Sequence, residues 1–147
     1  HEVLAIKGAT DLTWAIETHD KWINPHDLIQ LVNAVNHPSF KVLWDIAHTL
    51  RFCGLKHGET WKLIGKYVCA THVKDAVRDP GSPGAMKDGW RYVTPGSGQL
   101  GIGEALGILR ENGYSGWVTL EHEKLWIPSL TDPEIEFPAF AQWFKSL

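Results

Sequence analysis

The sequence predicts an α/β protein built on a parallel half-barrel, and three observations lead there. Four short apolar runs, ending at Glu17, Asp45, His72 and Glu121, alternate with stretches of helical periodicity. Each run is continuously apolar, as in parallel strands covered on both faces. The first two intervals between run ends are 28 and 27 residues, about one βα unit each, and a Gly- and Pro-rich loop lengthens the third.

The elements follow in order. Residues 1–6 have the character of a helix tail, closed by Lys7-Gly8. Leu12 to Thr18 is apolar, rich in strand formers, and runs into Glu17, Thr18, His19 and Asp20. Pro25-His26-Asp27 opens a helix with Leu28, Leu31, Val32 and Val35 at helical spacing and Asn24 as its N-cap. Phe40 to Trp44 is the second strand, ended by Asp45, with His48 in the loop beyond it. Glu59 to Tyr67 is a short helix with Trp61, Leu63 and Ile64 inward. Val68 to Val73 is the third strand, leading into His72, Lys74 and Asp75. Residues 76–101 form a long loop, and Ile102 to Asn112 a helix closed by Gly113. Gly116 to Leu120 is the fourth strand, reaching Glu121-His122-Glu123-Lys124. After a loop with Pro128, Pro133 and Pro138, a last helix carries Phe140, Trp143 and Phe144.

At 147 residues the chain suggests one domain, 1–147, large enough for a sizeable core. A net charge of −3 without a basic stripe argues against a nucleic-acid binder. No apolar run is long enough to span a membrane, and no signal peptide is evident. Cys53 and Cys69 show no metal-knuckle or disulfide-framework spacing, so both are expected as thiols in a cytoplasmic protein.

The chemistry lies at the strand ends. Asp45 and His48 offer a carboxylate oxygen and an imidazole nitrogen, both good ligands for a divalent ion. A single Asp-x-x-His is weak, and a capping Asp beside a surface His is its ordinary reading. Here a residue able to ligate recurs at all four ends. In a parallel barrel those ends share one face, where active sites lie, so a common site is expected. His26, His37 and His57 fall at helix starts and turns and are expected at the surface. Trp14, Trp44 and Trp117 are expected in the core. Trp90 and Trp126, in loops on the active face, are the candidates for stacking on a ligand ring. Lys74 and Asp75 either support His72 or form a surface pair, while His19, Asp20 and Lys124 line the pocket or its solvated rim.

Five stretches carry a resemblance: Ala15-Ile16-Glu17-Thr18-His19-Asp20, Trp44-Asp45-Ile46-Ala47-His48, Thr71-His72-Val73-Lys74-Asp75, Pro95-Gly96-Ser97-Gly98, and Asn112 to Lys124. The chain resembles the C-terminal half, strands five to eight, of the sugar isomerase/epimerase superfamily with the xylose-isomerase-like TIM barrel. That resemblance implies one divalent ion held by Glu17, Asp45, His72 and Glu121. It implies Glu17 and Glu121 as the acid/base pair, and substrate contacts from His48 and Arg78. Three carboxylates and an imidazole suit Mn²⁺ first, with Mg²⁺, Co²⁺ or Zn²⁺ as alternatives. The implied activity is isomerisation or epimerisation of a sugar, sugar phosphate or polyol, by proton transfer beside a carbonyl/hydroxyl pair.

Two departures refine this. The loop after the third strand reads Asp88-Gly89-Trp90-Arg91-Tyr92, without the Asp-x-His of the related three-zinc DNA repair endonuclease. Ile23 stands where some ketose epimerases have a second Glu. Inosose-type dehydratases share the ligands, so a lyase is the alternative reaction. A full barrel takes about 250 residues, so this polypeptide is expected to be part of a longer protein. Its missing N-terminal half or a second copy would close the sheet, and alone it could be a non-catalytic fragment.

Overall fold

The computed structural model describes residues 2–147. Strands run over Trp14–Glu17 (β1), Phe40–Asp45 (β2), Val68–Val73 (β3), Asp75–Arg78 (β4), Trp90–Val93 (β5) and Trp117–Leu120 (β6). Helices run over Pro25–Val35 (α1), Ile46–Cys53 (α2), His57–Ile64 (α3), Ile102–Glu111 (α4) and Pro133–Lys145 (α5). The parallel sheet has the order β1-β2-β3-β6, with β1 and β2 in register from Trp14–Phe40 to Glu17–Leu43. This is the expected partial barrel. No helix among the described residues is long and apolar enough to cross a membrane.

The chain divides into two compact units, residues 1–71 with 115–117, and residues 72–114 with 118–147. In the first, α1 starts where the sequence says. The Asn24 side chain accepts the His26 N–H at 3.0 Å, Pro25 occupies the first turn, and Asn36 in the left-handed region ends it. Its inward face buries Leu28 and Val32, one turn apart. Each such side chain contributes about 2 kcal/mol relative to exposure. The centre of this unit is Trp44, fully buried, whose indole N–H donates to Thr49 Oγ1 at 3.0 Å.

In the second unit the core comes from α4, which buries Ile102, Ala105, Leu106 and Leu109 on one stripe. The Asp75 carboxylate fixes the loop before that helix. It accepts the N–H groups of Ala76, Gly96, Gly98 and Leu100 at 2.9 to 3.2 Å. This explains the Gly96-Ser97-Gly98 run. Gly96 has φ +90° and packs under the Trp143 ring of α5, and a Cβ on Gly98 would meet the Asp75 carboxylate.

Several expectations are corrected. His48 lies in α2, not a loop, because Asp45 caps that helix. The stretch expected as loop, 76–101, contains the antiparallel hairpin of β4 and β5. Its strand formers Trp90 to Val93 are separated from β4 by a long Gly/Pro connection. Helix α5 starts at Pro133, which needs no N–H in the first turn, and continues through Pro138. Of the helix tail expected over residues 1–6, His1 lies outside the described residues and Val3–Ala5 form one 3₁₀ turn. His57 is buried, not at the surface, with its ring 6.1 Å from that of Trp44. Trp44 is core as expected, but Trp14 is exposed and Trp117 is 80% exposed, since both begin edge strands.

Candidate metal centre and its cavity

Within the second unit the site is built on the end of β3 and the residues after β6. The Glu121 N–H donates to the Val73 carbonyl at 2.9 Å, bringing the two strand ends level. His72 Nδ1 then stands 3.1 Å from Glu121 Oε2. Two ligand atoms held at right angles about 2.1 Å from one ion lie about 3 Å apart, so this spacing suits a shared divalent ion. Lys74 Nζ is 2.9 Å from the same oxygen and 3.4 Å from Glu123 Oε1. Lys74 is only 3% exposed, and two carboxylates offset the cost of burying its charge. Burial pushes the Glu121 carboxyl up, but hydrogen bonds from His72 and Lys74 and their charges outweigh it and hold it at about 2. Glu121 is therefore ionised across the neutral range, as a ligand must be.

Beside these residues lies a cavity of about 270 Å³. Lys74, Arg91, Tyr92, Thr94, His122, Glu123 and Glu136 line it together with Glu121. Sequence reasoning weighed Lys74 as a support for His72; it holds Glu121 instead. Asp75 is spent on the glycine loop and forms no surface pair. Tyr92, Thr94, His122 and Glu136 were missed. Nothing local in the sequence marks Tyr92 or Glu136 as facing a cavity.

Within the first unit, β1 ends in Glu17 and β2 in Asp45. The Asp45 carboxylate is buried against α2, accepting the His48 N–H at 3.1 Å and lying 3.0 Å from His48 Nδ1. Thr18 closes the corner: its hydroxyl accepts the Asp45 N–H at 2.8 Å, and its carbonyl lies 3.3 Å from His48 Nδ1. The His48 ring packs against His19 and Phe52 at centroid distances of 4.8 and 5.5 Å. The expected Asp45/His48 pair thus meets directly, as a helix cap.

The other expected substrate residues stand apart from the cavity wall. Arg78 donates through its guanidinium to the Asp88 carbonyl at 2.7 Å, Trp90 opens β5, and Trp126 is 75% exposed. Lys124 pins its own loop, donating to the Pro128 carbonyl at 2.9 Å and pairing with Asp132 at 2.8 Å.

The fold defines the class, part of a parallel α/β barrel. The chain belongs to the xylose isomerase-like TIM barrel family, whose model matches residues 1–147. Among solved structures it is similar to the probable 3-DHS dehydratase AsbF from Bacillus anthracis, with 16% identity and a TM-score of 0.70. That match covers 92% of this chain and 50% of the other. It is also similar to D-psicose 3-epimerase from Clostridium cellulolyticum H10, solved with D-tagatose, at 20% identity and a TM-score of 0.65, covering 95% and 50%. A xylose isomerase-like TIM barrel protein from Mycobacterium smegmatis, solved in complex with magnesium, matches at 17% identity and a TM-score of 0.59, covering 82% and 42%. The chain thus spans half or less of the length of these structures, and at such identities the likeness is one of fold. None of the curated proteins matches it significantly.

Proposed function

We propose that the complete protein is a divalent-metal-dependent isomerase or epimerase of a sugar or sugar phosphate, moving a proton next to a carbonyl and its neighbouring hydroxyl. The observation that carries this reading is the 3.1 Å approach of His72 to an ionised Glu121 beside a polar cavity. Glu17, Asp45, His72 and Glu121 are assigned as the ligands of one ion, as the family resemblance implies. Mn²⁺ is the first choice of ion and Mg²⁺ the second. When bound, the ion supplies Lewis acidity that lowers the barrier to removing a proton beside a carbonyl.

The residues of the chain do the rest. Glu17 and Glu121 are the acid/base pair, one taking a proton from carbon and the other returning one. His72 and Lys74 orient the Glu121 carboxylate, and proton uptake by Glu121 requires them to relax their hold. His48 and Arg78 are assigned to substrate contact, as the family resemblance implies, and Trp90 and Trp126 to stacking on the sugar ring, from their place in loops. The activity belongs to a protein in which a further half-barrel or a second copy closes the sheet. Cys53 and Cys69 form no disulfide, which supports a cytoplasmic setting. Neither nucleic acid nor membrane enters this reading.

A dehydratase is the second reading, because a probable dehydratase shares the fold as fully as the epimerases do. NMR of the full-length protein with Mn²⁺ and ketohexoses in D₂O separates the two. Isomerisation or epimerisation incorporates deuterium at the reacting carbon without loss of water, whereas a lyase gives an unsaturated product. Glu121→Gln is expected to lower turnover at least ~10²-fold. A Gln variant that turns over at the wild-type rate would contradict the assignment.

A further inference from the structure

The cavity contains a buried carboxylate that the proposed reaction does not use. Glu136, on α5, is only 5% exposed and lines the cavity. Thr94 Oγ1 donates to its Oε2 at 2.9 Å, the one side-chain donor it has among the described residues. A carboxylate accepts about four hydrogen bonds, so Glu136 keeps acceptor capacity in the cavity that it lines.

The charges around it decide what that is. The cavity's two permanent cations are already paired, Lys74 with Glu121 and Glu123, and Arg91 with Asp79 at 3.1 Å. Four carboxylates line the same space: Asp75, Glu121, Glu123 and Glu136. A phosphate or carboxylate group entering at the Glu136 end would lose its hydration beside like charges, and both permanent cations there already hold carboxylates. Hydroxyl groups fit. They donate to Glu136 and exchange hydrogen bonds with the Thr94, Ser97, Ser129 and Thr131 hydroxyls. The volume, about 270 Å³, lies just below the usual range of about 300–1,000 Å³ for drug-sized ligands, a scale that suits a monosaccharide.

We infer that Glu136 is a specificity-determining residue that binds a hydroxyl of an uncharged ketose or polyol and excludes ligands carrying phosphate or carboxylate at that end. This narrows the substrate class and rests on the sugar reading of the same site.

The test is calorimetric titration of the full-length, Mn²⁺-loaded protein with D-fructose, D-tagatose and D-allulose, each against its 6-phosphate. The wild-type protein is expected to bind its best neutral sugar at least ~10-fold more tightly than the corresponding phosphate, the scale of a hydrogen bond to a charged group. Glu136→Gln removes the charge but keeps the shape. It is expected to weaken the neutral sugar ~5-fold or more and to narrow the preference, a ratio that a merely structural role would not move. A wild-type protein that prefers the phosphates, or binds none of the six, overturns the inference, and that comparison needs no variant. A Gln variant whose preference is unchanged overturns it as well. Titration with Mn²⁺ alone reads the metal centre separately, so loss of that signal strikes the metal reading and a lost sugar preference strikes only this one.

Discussion

Lys74 Nζ and His72 Nδ1 converge on one atom, Oε2 of Glu121, at 2.9 and 3.1 Å. The Glu121 carboxyl is thereby lowered from 4.5 to about 2. A depressed folded-state value stabilises the fold at pH above the unfolded value and loses that contribution as pH falls through the folded one. With chelator present, the wild type is expected to exceed Glu121→Gln by about 2 kcal/mol at neutral pH. The gap should close between pH 4.5 and about 2. Urea denaturation at a series of pH values checks this, and a gap that widens on acidification would contradict it.

Asp75 is the second expected weak point. Its carboxylate accepts four backbone N–H groups, and hydrogen bonds to a charged group are worth about 1.5–3 kcal/mol each before losses. Asp75→Ala should therefore cost about 3–5 kcal/mol, less than the plain sum because water replaces some of the bonds. Gly98→Ala should also destabilise, since its Cβ would press on that carboxylate and lie 2.8 Å from the Ala76 carbonyl. Equal stability of Gly98→Ala and wild type in urea would show that the loop is not held this way.

Trp44 and Trp117 should behave in opposite ways. Trp44 is fully buried and hydrogen-bonded to Thr49, so Trp44→Ala is expected to cost about 3–5 kcal/mol. Trp117 is largely exposed in this chain, so Trp117→Ala should cost less than about 1 kcal/mol here. In the complete protein a larger Trp117 effect is expected if a further strand covers β6. Thermal melts of both variants, in the chain alone and in the full-length protein, provide the comparison.

The sheet was legible because its strands are mostly apolar and rich in strand formers. Val42, Trp44 and Val73 lie in such runs, and the polar residues that end them mark where each strand stops. The approach of His72 to Glu121 was legible for the same reason, since both sit at strand ends. The β4–β5 hairpin was not, because Pro80, Gly81, Pro83 and Gly84 dominate the composition between its strands and mask a short Trp-Arg-Tyr-Val run. Pro138 reads as a helix breaker, yet α5 absorbs it. Glu136 is silent in the sequence. One acidic residue among several at a helix start reads as a favourable charge there, and only the packing of α5 shows it buried against Thr94.

The account depends most on His72 and Glu121 sharing a divalent ion. Calorimetric titration of the full-length protein with Mn²⁺, compared with His72→Ala and Glu121→Gln, tests it most directly. The account predicts one site per chain in the wild type, weakened ~10-fold or more in His72→Ala and less in Glu121→Gln, which keeps one ligand oxygen. Equal Mn²⁺ affinity in the wild type and both variants, or no binding in any of them, would contradict it.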